Sequence, residues 1–330
     1  LASPVANLLA AGPVAAATAV GGLGTILGVD ALVGVAGRMG DLVLVVARAG
    51  AAMPGLHGFG AWTLLAAAPA ALTVRWRPAA AAAVSAVVVA SLWPSAPPSH
   101  PTAVFLDVGQ GDSALLLGTH GEVVVVDGGP DPGVMREALR RYGVSRIDLV
   151  VVSHLHADHI DGLAALRGMS VDEVWFSPHP DIDGVLRPIL DMLAAQGAVT
   201  LSPPVGTTAV LGGFRLEVLG PQRRYASPND ESLVVRVTAG RHRLVFTGDV
   251  EAIAQHDLGP IEGTILKVPH QGAATSDPRW LASVPWELAV ISVGPNSYGH
   301  PAPSIEELLG ATAGRVVRTD RGDVVVTLDG

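Results

Sequence analysis

An α/β layered domain behind a set of membrane helices is the fold this chain predicts, and three observations carry that prediction. Residues 1–94 hold only six charged groups, Asp30, Arg38, Asp41, Arg48, Arg75 and Arg77, among long runs of Ala, Val, Leu and Gly. A proline-rich stretch, PSAPPSHP (94–101), cannot continue a helix and reads as an extended linker. Beyond it, short β-branched runs alternate with turns and helical patterns. Many of these runs are apolar throughout, which suits strands covered on both faces.

The first part is read by length. About 20 predominantly apolar residues cross a bilayer. Residues 5–29 are long enough, and FGAWTLLAAAPAALTV (59–74) and AAAAAVSAVVVASLW (79–93) form a shorter pair around the charged turn RWRP. Two or three spans within residues 1–97 are expected, an Ala-rich soluble helical domain being the alternative. The apolar region is far too long for a cleavable signal peptide, and the chain begins at Leu1 rather than Met, so it reads as the later piece of a longer membrane protein. Arg75 and Arg77 place their turn in the cytoplasm by the positive-inside rule, which puts everything after Pro94 outside. Trp62, Trp76 and Trp93 fall near span ends, where indoles anchor at the interface.

In residues 98–330 the expected strands are TAVFLDV (102–108), SALLL, EVVVVDGG (122–129), IDLVVVSH (147–154), EVWFSP, FRLEVLG, SLVVRVTA, HRLVFTGD (242–249), TILKVPH, LAVISVG (288–294), RVVRTD and DVVVTL. Helical patterns at GVMREALRRYG, HIDGLAALRG, VLRPILDMLAAQG, RWLASV and PSIEELLGA supply the outer cover. No internal repeat stands out. Taking the four arginines and two aspartates of residues 1–97 from the chain's 21 Lys+Arg and 30 Asp+Glu leaves 17 against 28, a formal charge of −11. Such a domain does not bind nucleic acid by bulk electrostatics, although clusters such as Arg136, Arg140 and Arg141 can act locally. The chain has no cysteine, which excludes disulfides and thiolate metal sites.

The chemistry concentrates in VVSHLHADHIDGL (151–163). His154 and His156 are two apart in extended backbone and so share a face. Asp158 and His159 follow where a helix begins. Asp158 can be read as that helix's N-cap, but one capping aspartate does not explain three neighbouring histidines. Imidazoles with carboxylates and no thiolate suit a catalytic Zn, Fe or Mn site rather than a closed structural one.

This H-x-H-x-D-H after a buried strand resembles the metallo-β-lactamase superfamily, which implies a four-layer αββα sandwich with one or two metal ions at the sheet edge. VVVVDGG (123–129) resembles its first motif, with Asp127 as the carboxylate that orients a ligand histidine. LVFTGD (244–249) resembles the strand ending in the metal-bridging aspartate, Asp249. LKVPHQG (266–272) resembles the strand ending in the last ligand histidine, His270. One ligand histidine of the superfamily has no obvious counterpart, since His179 comes too early and His242 opens a strand. Asp230 in SPNDESLVVRV is expected to replace it, a solvated turn aspartate being the alternative.

Within the superfamily, FLDVGQGDSALL (105–116), the ND-x-SLV segment and ISVGPNSYGHP (291–301) resemble the ComEC family of competence DNA-uptake channels, in which a polytopic membrane domain precedes such a hydrolase. That family usually reads H-H-G-S where this chain has HQGA (270–273). Gln271 therefore removes a basic or ligating group and Ala273 a hydroxyl.

The resemblance implies a nuclease with two divalent ions, Zn or Mn, that acidify a bound water and clamp a phosphodiester. His154, His156 and Asp230 are expected on the first ion, Asp158, His159 and His270 on the second, and Asp249 on both. Asp158, His300 and Lys267 are the expected catalytic groups. His300 can instead stabilise its loop. Lys267, the single lysine of the chain, can instead be a strand-end surface residue. Asp112, Gln110 and Asn296 are expected near metal or substrate. The implied partners are DNA, single-stranded or duplex, the cell membrane and other competence proteins. Two other functions stay open: a hydrolase of the same fold acting on a small phosphodiester or thioester, and a silent DNA-binding or gating module.

Overall fold

Apolar strands need cover on both faces, and two seven-stranded sheets stacked against each other provide half of it. The computed structural model describes residues 97–181 and 184–329. Ser95–Gly330 forms one compact unit. The expected membrane spans lie outside the described residues, and among those no helix is long and apolar enough to cross a membrane.

One sheet contains β1 (Thr102–Phe105), β2 (Ala114–Leu117), β3 (Val123–Val126), β4 (Arg146–Val152), β5 (Ser170–Phe176), β6 (Val199–Leu201) and β14 (Val324–Thr327), in the order β14-β1-β2-β3-β4-β5-β6. The other contains β7 (Thr208–Leu211), β8 (Phe214–Gly220), β9 (Val234–Ala239), β10 (His242–Phe246), β11 (Ile265–Lys267), β12 (Leu288–Ile291) and β13 (Val316–Arg318), in the order β13-β12-β11-β10-β9-β8-β7. Each sheet is antiparallel in one half and parallel in the other. The parallel halves are β3 to β6 and β10 to β13.

Parallel neighbours require a crossover, and helical segments make each one. In the first sheet these are α1 (Pro132–Arg141), α2 (Ala157–Ile160) with the 3-10 turn Asp161–Leu166, and α3 (Arg187–Ala195). In the second they are α4 (Ala252–Leu258), α5 (Pro278–Leu281) and α6 (Pro303–Thr312).

Strand alternation sorts the side chains into three cores. On β3, Val123 and Val125 face α1 while Val124 and Val126 face the opposite sheet. Likewise Leu244 and Phe246 of β10 point between the sheets and Val245 packs outward with Trp280, Trp286 and Leu309. The result is a four-layer αββα sandwich. Phe105 and Phe246 stack across the middle at a centroid distance of 5.7 Å.

Four elements differ from expectation. HIDGLAALRG makes one α turn and then a 3-10 turn, because Gly162 lies against Gly128, where an added Cβ would stand 1.8 Å from the Gly128 carbonyl oxygen. Asp158 lies in the first turn of α2 rather than at its cap, which is His156. α4, β6 and β7 are present where no element was expected.

Phe105 is buried to 1% exposure, so Phe105→Ala leaves a cavity between the sheets. The expected cost is about 3–5 kcal/mol, read as a lowered urea midpoint. A loss under about 1 kcal/mol would contradict this account of the central core.

Candidate metal centre

The C-terminal ends of β3, β4, β10 and β11 meet at one edge of the sandwich, and the ligand-type side chains sit there. Asp127 follows β3 in left-handed backbone, φ 57°. Its N–H donates to Val151 at 2.8 Å. Its Oδ1 accepts from the Ser153 N–H at 2.7 Å, and its Oδ2 from the Ser153 hydroxyl at 2.7 Å. The same Oδ2 lies 2.9 Å from His159 Nδ1, which assigns the proton to Nδ1 and aims Nε2 the other way. Gly128 N–H to His159 O at 2.6 Å and Gly162 N–H to Gly129 O at 2.8 Å hold the α2 turn against β3.

The second sheet brings Asp249 opposite. Leu233 N–H donates to Ser153 O at 2.7 Å, tying the sheets together at this edge, and Asp249 N–H donates to the Ser232 hydroxyl at 3.1 Å. Asp249 Oδ2 is then 3.8 Å from His154 Nε2, 3.4 Å from His159 Nε2 and 3.8 Å from His270 Nε2. His156 is exposed, with Nδ1 3.1 Å from His154 Nε2. Asp158 Oδ2 is 3.8 Å from His159 Nε2. His270 is oriented by Glu251, whose Oε1 lies 3.0 Å from its Nδ1.

Burial, aided by the neighbouring His159, pushes the His154 imidazole well below its usual range, so it is neutral and fit to ligate. Burial opposes charge at His159 too, but Asp249 and Asp127 outweigh it and hold its imidazole well above. At Asp249 burial favours the neutral acid, and His159, His154 and His270 override it, keeping the carboxyl far below the ordinary carboxylate range.

Two ligands about 2.1 Å from a zinc ion stand about 3.4 Å apart at the tetrahedral angle. The spacings around Asp249 are of that size, and the ligand atoms of His154, His159 and Asp249 all lie within 4.8 Å of one another. These residues fit a divalent ion. Asp112, Asp127 and His159 form a second buried group of the same tightness. There the buried Lys267 pairs with Asp112, and its Nζ also lies 3.7 Å from Asp249 Oδ1.

The other expected residues sit around this cluster. Lys267 is 4% exposed, so it is not a surface residue, and it donates to Gly248 O at 3.0 Å. Burial pushes its amine well down. Asp112 is its partner and belongs to the second buried group. Asp230 is outside both groups. Its Oδ1 accepts the N–H of Glu251 at 2.9 Å and of Ala254 at 3.4 Å, so it serves the start of α4. Asn296 accepts three N–H groups, from Tyr298, Gly299 and His300, at 3.1 Å each, and donates to Gly294 O and His300 O. It shapes the loop that sets His300 beside His270, ring centroids 5.3 Å apart. Gln110 reaches Gln271 instead of open space. Of the arginines noted for local DNA contact, Arg140 pairs with Glu137 and Arg141 with Asp323. Sequence reasoning missed Ser153 and Glu251. A polar residue directly before His154 and an acid two residues after Asp249 were the available signals.

A family model described as the metallo-beta-lactamase superfamily matches residues 106–282. The chain belongs to that superfamily. Among curated proteins it is similar to ComE operon protein 3 of Bacillus subtilis (strain 168), 24% identical over 252 residues, with 67% of this chain and 32% of that protein covered. It is also similar to competence protein ComA of Neisseria gonorrhoeae, 29% identical over 243 residues, with 69% and 32% covered. The chain thus spans about a third of the length of these relatives. The metallo-beta-lactamase fold protein YhfI from Bacillus subtilis superposes with TM-score 0.50 at 14% identity, over 69% of this chain and 99% of that one, which shows the shared superfamily fold.

Asp127→Asn keeps the shape of the side chain but cannot charge-stabilise His159 Nδ1–H. The expected outcome is a loss of about ten- to a hundredfold in zinc affinity, measured by chelator competition. Unchanged affinity would mean that Asp127 does not orient a ligand.

Proposed function

We propose that this chain is the membrane-anchored hydrolase portion of a competence DNA-uptake protein, and that its centre cleaves DNA phosphodiesters. Residues 1–97 carry two or three spans and the proline-rich linker, and residues 98–330 the hydrolase domain on the extracytoplasmic side. A topology reporter fused behind Pro94 reads that side directly. The observation that carries the reading is the match of about two thirds of the chain to ComE operon protein 3 and competence protein ComA, beside a superfamily match over residues 106–282 that holds the Asp249 cluster.

His154, His159 and Asp249 would hold one divalent ion, Zn or Mn, and Asp158, His270 and the exposed His156 a second, with Asp249 contributing to both. Asp230 is left out of this set. Divalent ions there supply Lewis-acid polarisation of a phosphoryl oxygen and acidification of water. The protein's own groups do the rest. Asp127 and Glu251 fix the rings of His159 and His270. Burial and the nearby His270 lower the His300 imidazole, so at neutral pH it is uncharged and offers an N–H to a departing oxygen. With a formal charge of −11, the domain draws DNA to the cations of the centre rather than to a basic surface.

A hydrolase of a small phosphodiester or thioester is the alternative within the same chemistry. A silent DNA-binding module is a second alternative, favoured by the amide of Gln271 standing 3.3 Å from Asp249 Oδ2.

The test is cleavage of end-labelled single-stranded and duplex DNA by the purified chain, with chelator, Zn or Mn, beside Asp249→Ala. Metal-dependent cleavage that the substitution abolishes is the expected result. Cleavage indifferent to chelator and to the substitution would overturn the assignment. Turnover of small model diesters alone would move it to the first alternative.

A further inference from the structure

Gln271 is 2% exposed and sits inside the cluster, not behind it. His270 and Gln271 both adopt left-handed backbone, φ 49° and 47°, which non-glycine residues rarely do. The double turn brings both side chains to the same carboxylate. His270 Nε2 is 3.8 Å from Asp249 Oδ2, and Gln271 Nε2 is 3.4 Å from Oδ1 and 3.3 Å from Oδ2. Gln271 Nε2 is also 3.4 Å from His159 Nε2. The amide nitrogen therefore occupies the ground between His159 and Asp249.

The orientation of this amide is set from a distance. The backbone N–H of Gly294 can only donate, and it donates to Gln110 Oε1 at 3.4 Å. Gln110 must then turn its NH2 to Gln271 Oε1, at 3.2 Å. Gln271 in turn has only its own NH2 left for Asp249. Gly294 takes part because its backbone lies against Gly109 and Gln110, where an added Cβ would stand 2.4 Å from the Gly109 carbonyl carbon. An amide NH2 has no lone pair available for a metal, so this relay presents a donor where an ion needs a ligand.

We propose that Gln271 is a polar latch, held by Gln110 and Gly294, that weakens the centre's hold on a second divalent ion by engaging Asp249, the carboxylate both ions would share, with its NH2 group. The proposal rests on the reading that the centre takes divalent ions and is independent of what it hydrolyses. With the latch in place the second ion has to displace the amide. Removing the amide or the group that orients it relieves that competition.

The experiment is equilibrium dialysis of the purified chain against stepped free zinc, without DNA, with bound metal read by mass spectrometry. Gln271→Ala is expected to bind a second zinc at least tenfold more tightly than the unsubstituted chain. Gln110→Ala, which leaves the candidate ligands in place and touches the centre only through Gln271, is expected to shift it in the same direction by less. Second-ion binding that is unchanged or weaker in both variants would overturn the latch, weaker binding meaning that Gln271 ligates through Oε1. Absence of zinc binding by every protein, including the unsubstituted chain, would overturn the metal reading itself, and the two failures are thus told apart.

Discussion

Three carboxylates, Asp112, Asp127 and Asp249, are buried together where the two sheets meet, and their charge has to be balanced. Asp112 is met by Lys267, the single lysine of the chain. Asp127 is met by the N–H and hydroxyl of Ser153 and by His159 Nδ1. Asp249 is met differently, by three imidazoles at 3.4–3.8 Å, a neutral amide and, 3.7 Å from its Oδ1, the same Lys267. His154 is held neutral by burial, His159 divides its two nitrogens between Asp127 and Asp249, and Lys267 pairs first with Asp112. A divalent ion supplies what that carboxylate lacks.

The topology explains why these groups converge. Helical crossovers leave the parallel strands at their C-terminal ends, so the loops that carry Asp127, His154, Asp249 and His270 belong to one edge. Two hydrogen bonds stitch the sheets there, Leu233 N–H to Ser153 O and the Ser177 hydroxyl to Glu231 O. Small clearances do the rest. A glycine at 162 lets a 3-10 turn close on β3, and that turn follows the residue whose Nδ1 reaches Asp127.

Much of this was legible in the sequence. The run VVSHLHADH announces both a buried strand and a ligand cluster, because apolar continuity and polar crowding change over at one residue. Asp127, Asp249 and His270 were found as strand-end residues by resemblance. Less legible were features set by contacts between distant segments. Asp230 is placed by the N–H groups of α4, a short helix with few buried residues and so little apolar periodicity. β6 and β7 are only three and four residues long and partly covered, too short to stand out as apolar runs. Lys267 looked available to a phosphate. Its place in the apolar strand β11, flanked by Leu266 and Val268, was the sign that it points into the domain.

The account stands most directly on where the first ion binds. Anomalous diffraction at the zinc edge from crystals of the zinc-loaded protein locates it without reference to activity. The predicted result is a principal peak coordinated by His154, His159 and Asp249. A peak held instead by Asp112 and Asp127, with Lys267 displaced, would contradict the division of buried charge on which the whole centre is argued.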